Sequence, residues 1–245
     1  MNRGKGILKK ILLSVLIIIL IGLGAFYIYT LNYYHAEPEA FQALENSQVE
    51  FIQKKDMVVF TSANTISDKA LIFYPGGKVE YLSYIPLMEK IANEGYICFL
   101  LKMPFNLAVF KQNAADKPIN DYPDIKNWYL SGHSLGGAMA SVYASKNIEK
   151  VEGLILLGAY PSADLSVSAL KMISIYGSED KILNRQSFEE NKSYGPKDSK
   201  YIEIKGGNHA FYGSYGQQNK DGIATITAQE QQDLTAEKIL EFMNK

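Results

Sequence analysis

The chain has 245 residues, 47% of them hydrophobic and 21% charged, the balance of a folded protein and not of a disordered one. Its 25 Lys and Arg against 26 Asp and Glu give a net charge of -1, which leaves no overall basic character for a nucleic-acid partner. A single cysteine, Cys98, excludes an intramolecular disulfide, so the core must supply the stability; within its apolar run it is expected as a small buried hydrophobe.

Arg3, Lys5, Lys9 and Lys10 precede a stretch, Ile11 to Tyr34, that has no charged residue or histidine. It exceeds the roughly 20 residues that a helix needs to cross a bilayer. Residues 1–10 therefore read as a basic cytoplasmic N-terminus and 11–34 as a transmembrane signal anchor, with Glu37 and Glu39 on the outer side. A cleaved signal peptide is the alternative, since Gly22-Leu23-Gly24 resembles a cleavage site. The apolar run continues past it through Phe26, Tyr27 and Ile28, which favours the anchor. Either reading places the rest of the chain outside the cytoplasm.

Residues 35–47 read as a polar linker and 48–245 as one α/β domain. Val49 to Ile52 and Met57 to Thr61 form an expected hairpin. Apolar runs then recur at Ala70 to Tyr74, Tyr96 to Leu101, Trp128 to Leu130, Gly153 to Leu157 and Met172 to Tyr176. Between them lie helical patterns: Tyr84 to Asn93, opened by Pro86 and closed by Gly95, and Leu135 to Ser145, with Leu135, Ala138, Met139, Val142 and Tyr143 on one face. Strands apolar on both faces that alternate with helices predict a mostly parallel sheet covered on both sides. A last strand, Tyr201 to Ile204, leads to a final helix opened by the capping box Thr227-Ala-Gln-Glu230, with Ala236, Ile239, Leu240 and Met243 inward.

Gly132-His133-Ser134-Leu135-Gly136 falls where a strand pattern becomes a helical one. Gly-x-Ser-x-Gly at such a turn is a nucleophile elbow, in which glycines let strand and helix approach and a strained serine projects its hydroxyl. Serine needs a base. Of three histidines, His35 lies by the membrane and His133 adjoins the serine on a turn that points the two apart, leaving His209 after the last strand. The imidazole needs a carboxylate, for which Asp180 is preferred, with Glu179 as its neighbour and competitor and Asp164 further off. An oxyanion needs backbone N–H donors: Leu135 after the serine, and Gly77 or Lys78 in the loop that follows Tyr74.

Ile72-Phe-Tyr-Pro-Gly-Gly77-Lys-Val, Met103-Pro-Phe-Asn-Leu107, Gly132 to Gly137, Gly177-Ser-Glu-Asp180 and Asn208-His209 together resemble the α/β-hydrolase superfamily. Within it they are most similar to a small bacterial group, the fold-5 family, which is related to dienelactone hydrolases. The likeness covers about residues 48 to 244, and the order Ser134, Asp180, His209 is that of the superfamily. It implies a central mostly parallel sheet and hydrolysis of an ester or similar acyl bond, and the superfamily places its acid at Asp180. Together with the N-terminal anchor, the expected setting is the outer side of a bacterial cell membrane. The short segment Pro161 to Lys171 leaves no room for a large lid there.

Phe105, Leu107 and Phe110 are candidates for an apolar acyl site or for core, and Phe211 for a second wall beside His209. The expected partners are a small or lipid-like acyl ester and the membrane. Three scattered histidines and one cysteine suggest no metal site, and no cofactor is expected. An acyltransferase with the same acyl-serine, and a silent binding module on the same fold, are the alternatives to a hydrolase.

Overall fold

The structure is a computed structural model that describes residues 2–45, 47–62 and 68–244, with residues 2–6 described by backbone alone. Asn46, inside the expected linker, and the side chains of Arg3 and Lys5 lie outside the described residues. The chain divides into two compact units, the first ending at Tyr33 and the second beginning at Tyr34.

The first unit is a single helix, α1 (Asn2–Leu31). Its apolar part, Ile7–Leu31, has 25 residues, about 37 Å at 1.5 Å per residue, against about 30 Å for a hydrocarbon core. Apart from Thr30, which is buried, and Phe26, which is partly covered, the side chains of that part are exposed. The helix starts before the expected boundary at Ile11 and stops at Leu31.

Tyr34 belongs to the second unit. Its N–H donates to the Lys78 carbonyl at 2.8 Å and its own carbonyl accepts from the Glu80 N–H at 2.8 Å, an isolated parallel bridge beside Val79. The Ala36 N–H donates to Glu80 Oε2 at 3.0 Å, and the Glu37 N–H to the Ser214 carbonyl at 2.9 Å. A short helix, α2 (Pro38–Gln42), then buries Ala40. The segment expected as a linker is therefore fixed to the domain, because its extended residues complete backbone groups that surface loops leave open.

Eight strands form one sheet among the described residues: β1 (Val49–Gln53), β2 (Met57–Ser62), β3 (Lys69–Tyr74), β4 (Ile97–Leu101), β5 (Asn127–His133), β6 (Gly153–Leu157), β7 (Lys171–Gly177) and β8 (Asp198–Ile204). Their order is β1-β2-β4-β3-β5-β6-β7-β8. β2 is antiparallel to both β1 and β4, and all other neighbours are parallel. The helices α3 (Ile85–Asn93), α4 (Asp116–Asp121), α5 (Leu135–Lys146), α6 (Arg185–Asn191) and α7 (Ala228–Met243) lie in the connections and after the last strand. The chain leaves β3 for β4 on one side and returns to β5 on the other. Connections thus diverge above the β3–β5 boundary, where open α/β sheets hold their ligands.

Side chains alternate across each strand, which builds two cores from one run of apolar residues. Leu71 and Phe73 of β3 join Met88 and Ile91 of α3 and Ile239 of α7 on one face. Ala70, Ile72 and Tyr74 join Ala140 and Tyr143 of α5 on the other. Cys98 is wholly buried, and burial pushes its thiol pKa up.

Helix α5 departs from the expected packing. It buries Gly136, Gly137, Ala140, Ser141, Tyr143 and Ala144, whereas Leu135, Ala138, Met139 and Val142 are only partly covered. The reason is proximity: a Cβ on Gly136 would lie 2.1 Å from the Tyr74 carbonyl oxygen, and one on Gly132 would lie 2.5 Å from Gly136. Only small residues fit a helix this close to its sheet, so its inward face is the small one and not the most apolar one. Helix α7 follows expectation, with Thr227 Oγ1 accepting from the Glu230 N–H at 3.1 Å and Glu230 Oε2 accepting from the Thr227 N–H at 2.7 Å. Of its expected inward residues, Leu240 is partly covered and the others are buried.

Candidate active site

Ser134 stands between β5 and α5 with φ 52° and ψ -121°, outside the regions that a serine prefers. Its N–H donates to the Leu157 carbonyl at 2.9 Å and its carbonyl accepts from the Ala138 N–H at 3.0 Å. The strained backbone is thus held from both sides, and the side chain lines a cavity of about 300 Å³. Other walls of this cavity are Leu135 and Ala138 of α5, Gly158 to Tyr160 and Ser162 after β6, Ile182 to Asn184 after β7, and His209.

His209 follows β8 and is 1% exposed. Its Nδ1 lies 2.8 Å from Asp180 Oδ2. Asp180 Oδ1 accepts the N–H groups of Ile182 at 2.9 Å and Leu183 at 2.8 Å, so the carboxylate is fully engaged and faces the ring with one oxygen only. An ionised Asp180 makes Nδ1 the protonated nitrogen and leaves Nε2 as the acceptor. That Nε2 is buried and has no partner among the described residues. It is free to take a proton within the cavity that Ser134 lines.

The competing carboxylates are turned elsewhere. Glu179 Oε1 accepts from Ser178 Oγ at 2.9 Å, and its main chain is fixed by its own N–H to the Gly207 carbonyl at 2.8 Å. Asp164 Oδ1 accepts the Ser166 N–H at 2.9 Å and its hydroxyl at 2.6 Å, which lowers the pKa of this exposed carboxyl.

Of the donors expected for an oxyanion, Lys78 is already committed. Its N–H donates to the Asn106 carbonyl at 2.8 Å. The Gly77 N–H has no acceptor among the described residues. A Cβ on Gly77 would lie 2.8 Å from Leu135 Cδ2, so the β3 loop abuts the start of α5, where the first N–H groups have no intrahelical partner.

The aromatic walls expected after β4 do not line this cavity. Phe105 and Phe110 are half-exposed and meet edge to face with ring centres 5.7 Å apart, while Leu107 is buried. The chain passes Phe105 and Asn106 in the left-handed region, at φ 56° and 53°, which turns this loop back toward Lys78. Phe110 instead borders a separate depression with Val142 and Lys146. Phe211 packs on the core shared by α3 and α7. The walls that do surround Ser134, at Tyr160, Ile182 and Asn184, come from loops without periodicity and carried no sequence signal.

Several supporting residues also went unrecognised in the sequence. Asp221 Oδ2 accepts the Ala210 N–H at 3.0 Å and its Oδ1 accepts the Lys181 N–H at 3.2 Å, joining the loops of His209 and Asp180. Gln231 of α7 accepts the Asn208 N–H at 2.9 Å and donates to the Asn208 carbonyl at 2.8 Å. His133, buried at the end of β5, places Nδ1 2.8 Å from Tyr84 Oη, with its ring centre 4.6 Å from that of His209. Burial, with the neighbouring His209 as a smaller cause, holds the His133 pKa well below 6.5.

A parallel sheet with a strained serine at its β3–β5 crevice, and an aspartate-paired histidine over the same cavity, defines a hydrolase-type fold. The alpha/beta hydrolase family model matches residues 70–233, and the chain belongs to that family, in the fold-5 group that its motifs resemble. Comparison with curated proteins finds no match.

Proposed function

We propose that the protein is a membrane-anchored serine hydrolase that cleaves short acyl esters through an acyl-enzyme on Ser134. The observation that carries this reading is the buried 2.8 Å Asp180–His209 pair, with an unpartnered Nε2 bordering the cavity of the strained Ser134. His209 Nε2 removes the hydroxyl proton as Ser134 Oγ bonds to the acyl carbon. The carbonyl electron pair moves to oxygen, and the N–H groups of Leu135 and Gly77 donate hydrogen bonds to the resulting oxyanion. Collapse of this intermediate breaks the bond to the leaving alcohol, which takes the proton from His209. Water then repeats the sequence, releasing the acid and restoring Ser134. Asp180 stays ionised throughout and stabilises the imidazolium.

The acyl chain occupies the space between Ala138, Ala159, Ile182 and Leu183. About 300 Å³ is at the low end for small-molecule sites, which favours short chains. The β6–β7 connection contains no helix or strand and anchors Leu165 by its N–H to the Tyr194 carbonyl at 2.8 Å, so no large lid covers the site from there. The exposed apolar length of α1, with basic residues at its start, supports an anchor whose N-terminus is cytoplasmic.

The test is hydrolysis of p-nitrophenyl esters from acetate to palmitate by the full chain in detergent. Short esters are expected to be cleaved with the highest kcat/KM, and Ser134→Ala to abolish turnover. Unchanged hydrolysis by Ser134→Ala would refute the mechanism, and a preference for palmitate would refute the short-chain assignment.

A further inference from the structure

In the loop after β3, Pro75 has no N–H, and the N–H groups of Gly76 and Lys78 are both engaged. Gly76 donates to Tyr84 Oη at 3.1 Å and Lys78 to the Asn106 carbonyl at 2.8 Å. The Gly77 N–H between them is the one left open. We propose that Tyr84 and Asn106 are positioning residues, which present the Gly77 N–H to the oxyanion by pinning the peptide groups on either side of it. This rests on the hydrolase reading given above and adds to it the residues that set the second oxyanion donor.

Each pin has its own support. The Tyr84 ring is wholly buried and meets Phe73 with ring centres 4.8 Å apart. Because its oxygen accepts from Gly76, its proton goes to His133 Nδ1, 2.8 Å away. The buried imidazole is held neutral and so remains an acceptor. A Cβ on Gly76 would lie 2.7 Å from both Tyr84 Oη and His133 Nδ1, so the loop is seated directly on this pair. On the other side, Phe105 and Asn106 are consecutive residues in the left-handed region, which asparagine tolerates and phenylalanine does not. The consequence of that strained turn is the carbonyl of Asn106 reaching the Lys78 N–H.

The test compares variants in the full chain for kcat and KM on a short ester and for inhibition by an alkyl trifluoromethyl ketone. That ketone takes the Ser134 oxygen at its carbonyl carbon, its oxygen becoming the oxyanion and the serine proton passing to His209. Tyr84→Phe is expected to lower kcat and ketone affinity by about tenfold or more, with KM within about twofold of wild type. Asn106→Val, which disfavours a positive φ, is expected to do the same, while Asn106→Gly, which permits it, stays near wild type. Wild-type ketone affinity in both Tyr84→Phe and Asn106→Val would overturn the proposal, as would a parallel loss of KM and ketone binding. Should Tyr84→Phe lack a cooperative melt, the contrast between Asn106→Val and Asn106→Gly decides alone. Ser134→Ala separates the two readings: activity retained there refutes the hydrolase mechanism itself, whereas its loss beside unaffected positioning variants refutes only this inference.

Discussion

Gly158 and His209 are in direct apposition: a Cβ on the glycine would lie 2.9 Å from His209 Nδ1 and 3.3 Å from Asp180 Oδ2. The backbone there has φ 51°, so an L side chain meets both strain and a crowded hydrogen bond. Gly158→Ala is expected to reduce kcat at least about tenfold by displacing the imidazole, since small misplacements of reacting groups have large effects. Steady-state kinetics on a short ester checks this, and a kcat equal to wild type would contradict the proposed role of the pair.

The two neighbouring acids give a sharper contrast. Asp180→Asn is expected to lower kcat by about 10⁴-fold, because the amide no longer fixes the tautomer of His209 or balances its charge. Glu179→Gln, whose carboxylate bonds Ser178, is expected to change kcat little. A crippled Glu179→Gln beside an active Asp180→Asn would reverse the assignment, and an active double variant would remove this loop from the mechanism.

His133 makes stability depend on pH. Its folded-state pKa is lowered by burial, so between that value and about 6.5 the unfolded chain binds more protons than the folded one. Stability is then fully present above pH 6.5 and is lost as pH falls below it, by up to about 1.4 kcal/mol per pH unit. Denaturation midpoints from pH 7.5 to 5 are expected to fall more steeply for wild type than for His133→Gln. Equal slopes would show that the imidazole is not held neutral.

Truncation tests the proposed anchor. A fragment of residues 34–245 is expected to stay dispersed without detergent, whereas the full chain requires it. Starting instead at residue 38 removes the bridge to Val79 and the bonds of Ala36 and Glu37, and is expected to lower Tm by several degrees, a loss of about 1 kcal/mol or more. Equal Tm values for the two fragments would mean that residues 34–37 contribute nothing to the fold.

Much of this architecture is legible in the sequence because it depends on local pattern. Strands β3, β4 and β6 are nearly continuous apolar runs, the capping box of α7 is four residues long, and the elbow around Ser134 is defined by glycines within two positions. What could not be read depends on register between distant strands. Tyr84 and His133 meet across 49 positions, and Gly77 comes against Leu135 only because β3 and β5 pair side by side. The inward face of α5 departs from its apolar pattern for a related reason, since closeness to Tyr74 selects small residues over apolar ones. Likewise, the docking of Tyr34 beside Val79 rests on backbone groups that no side-chain pattern announces.

Gln231 clasps both the N–H and the carbonyl of Asn208, immediately before the proposed base, and it lies in the last helix of the chain. During synthesis the serine turn and the aspartate loop can be in place well before this clasp exists. A residue 97 positions from Ser134 thus holds the turn before His209, so the seating of that histidine depends on α7 being present and packed. On the proposed mechanism, a chain without α7 is expected to fold its serine turn and yet lose ester cleavage.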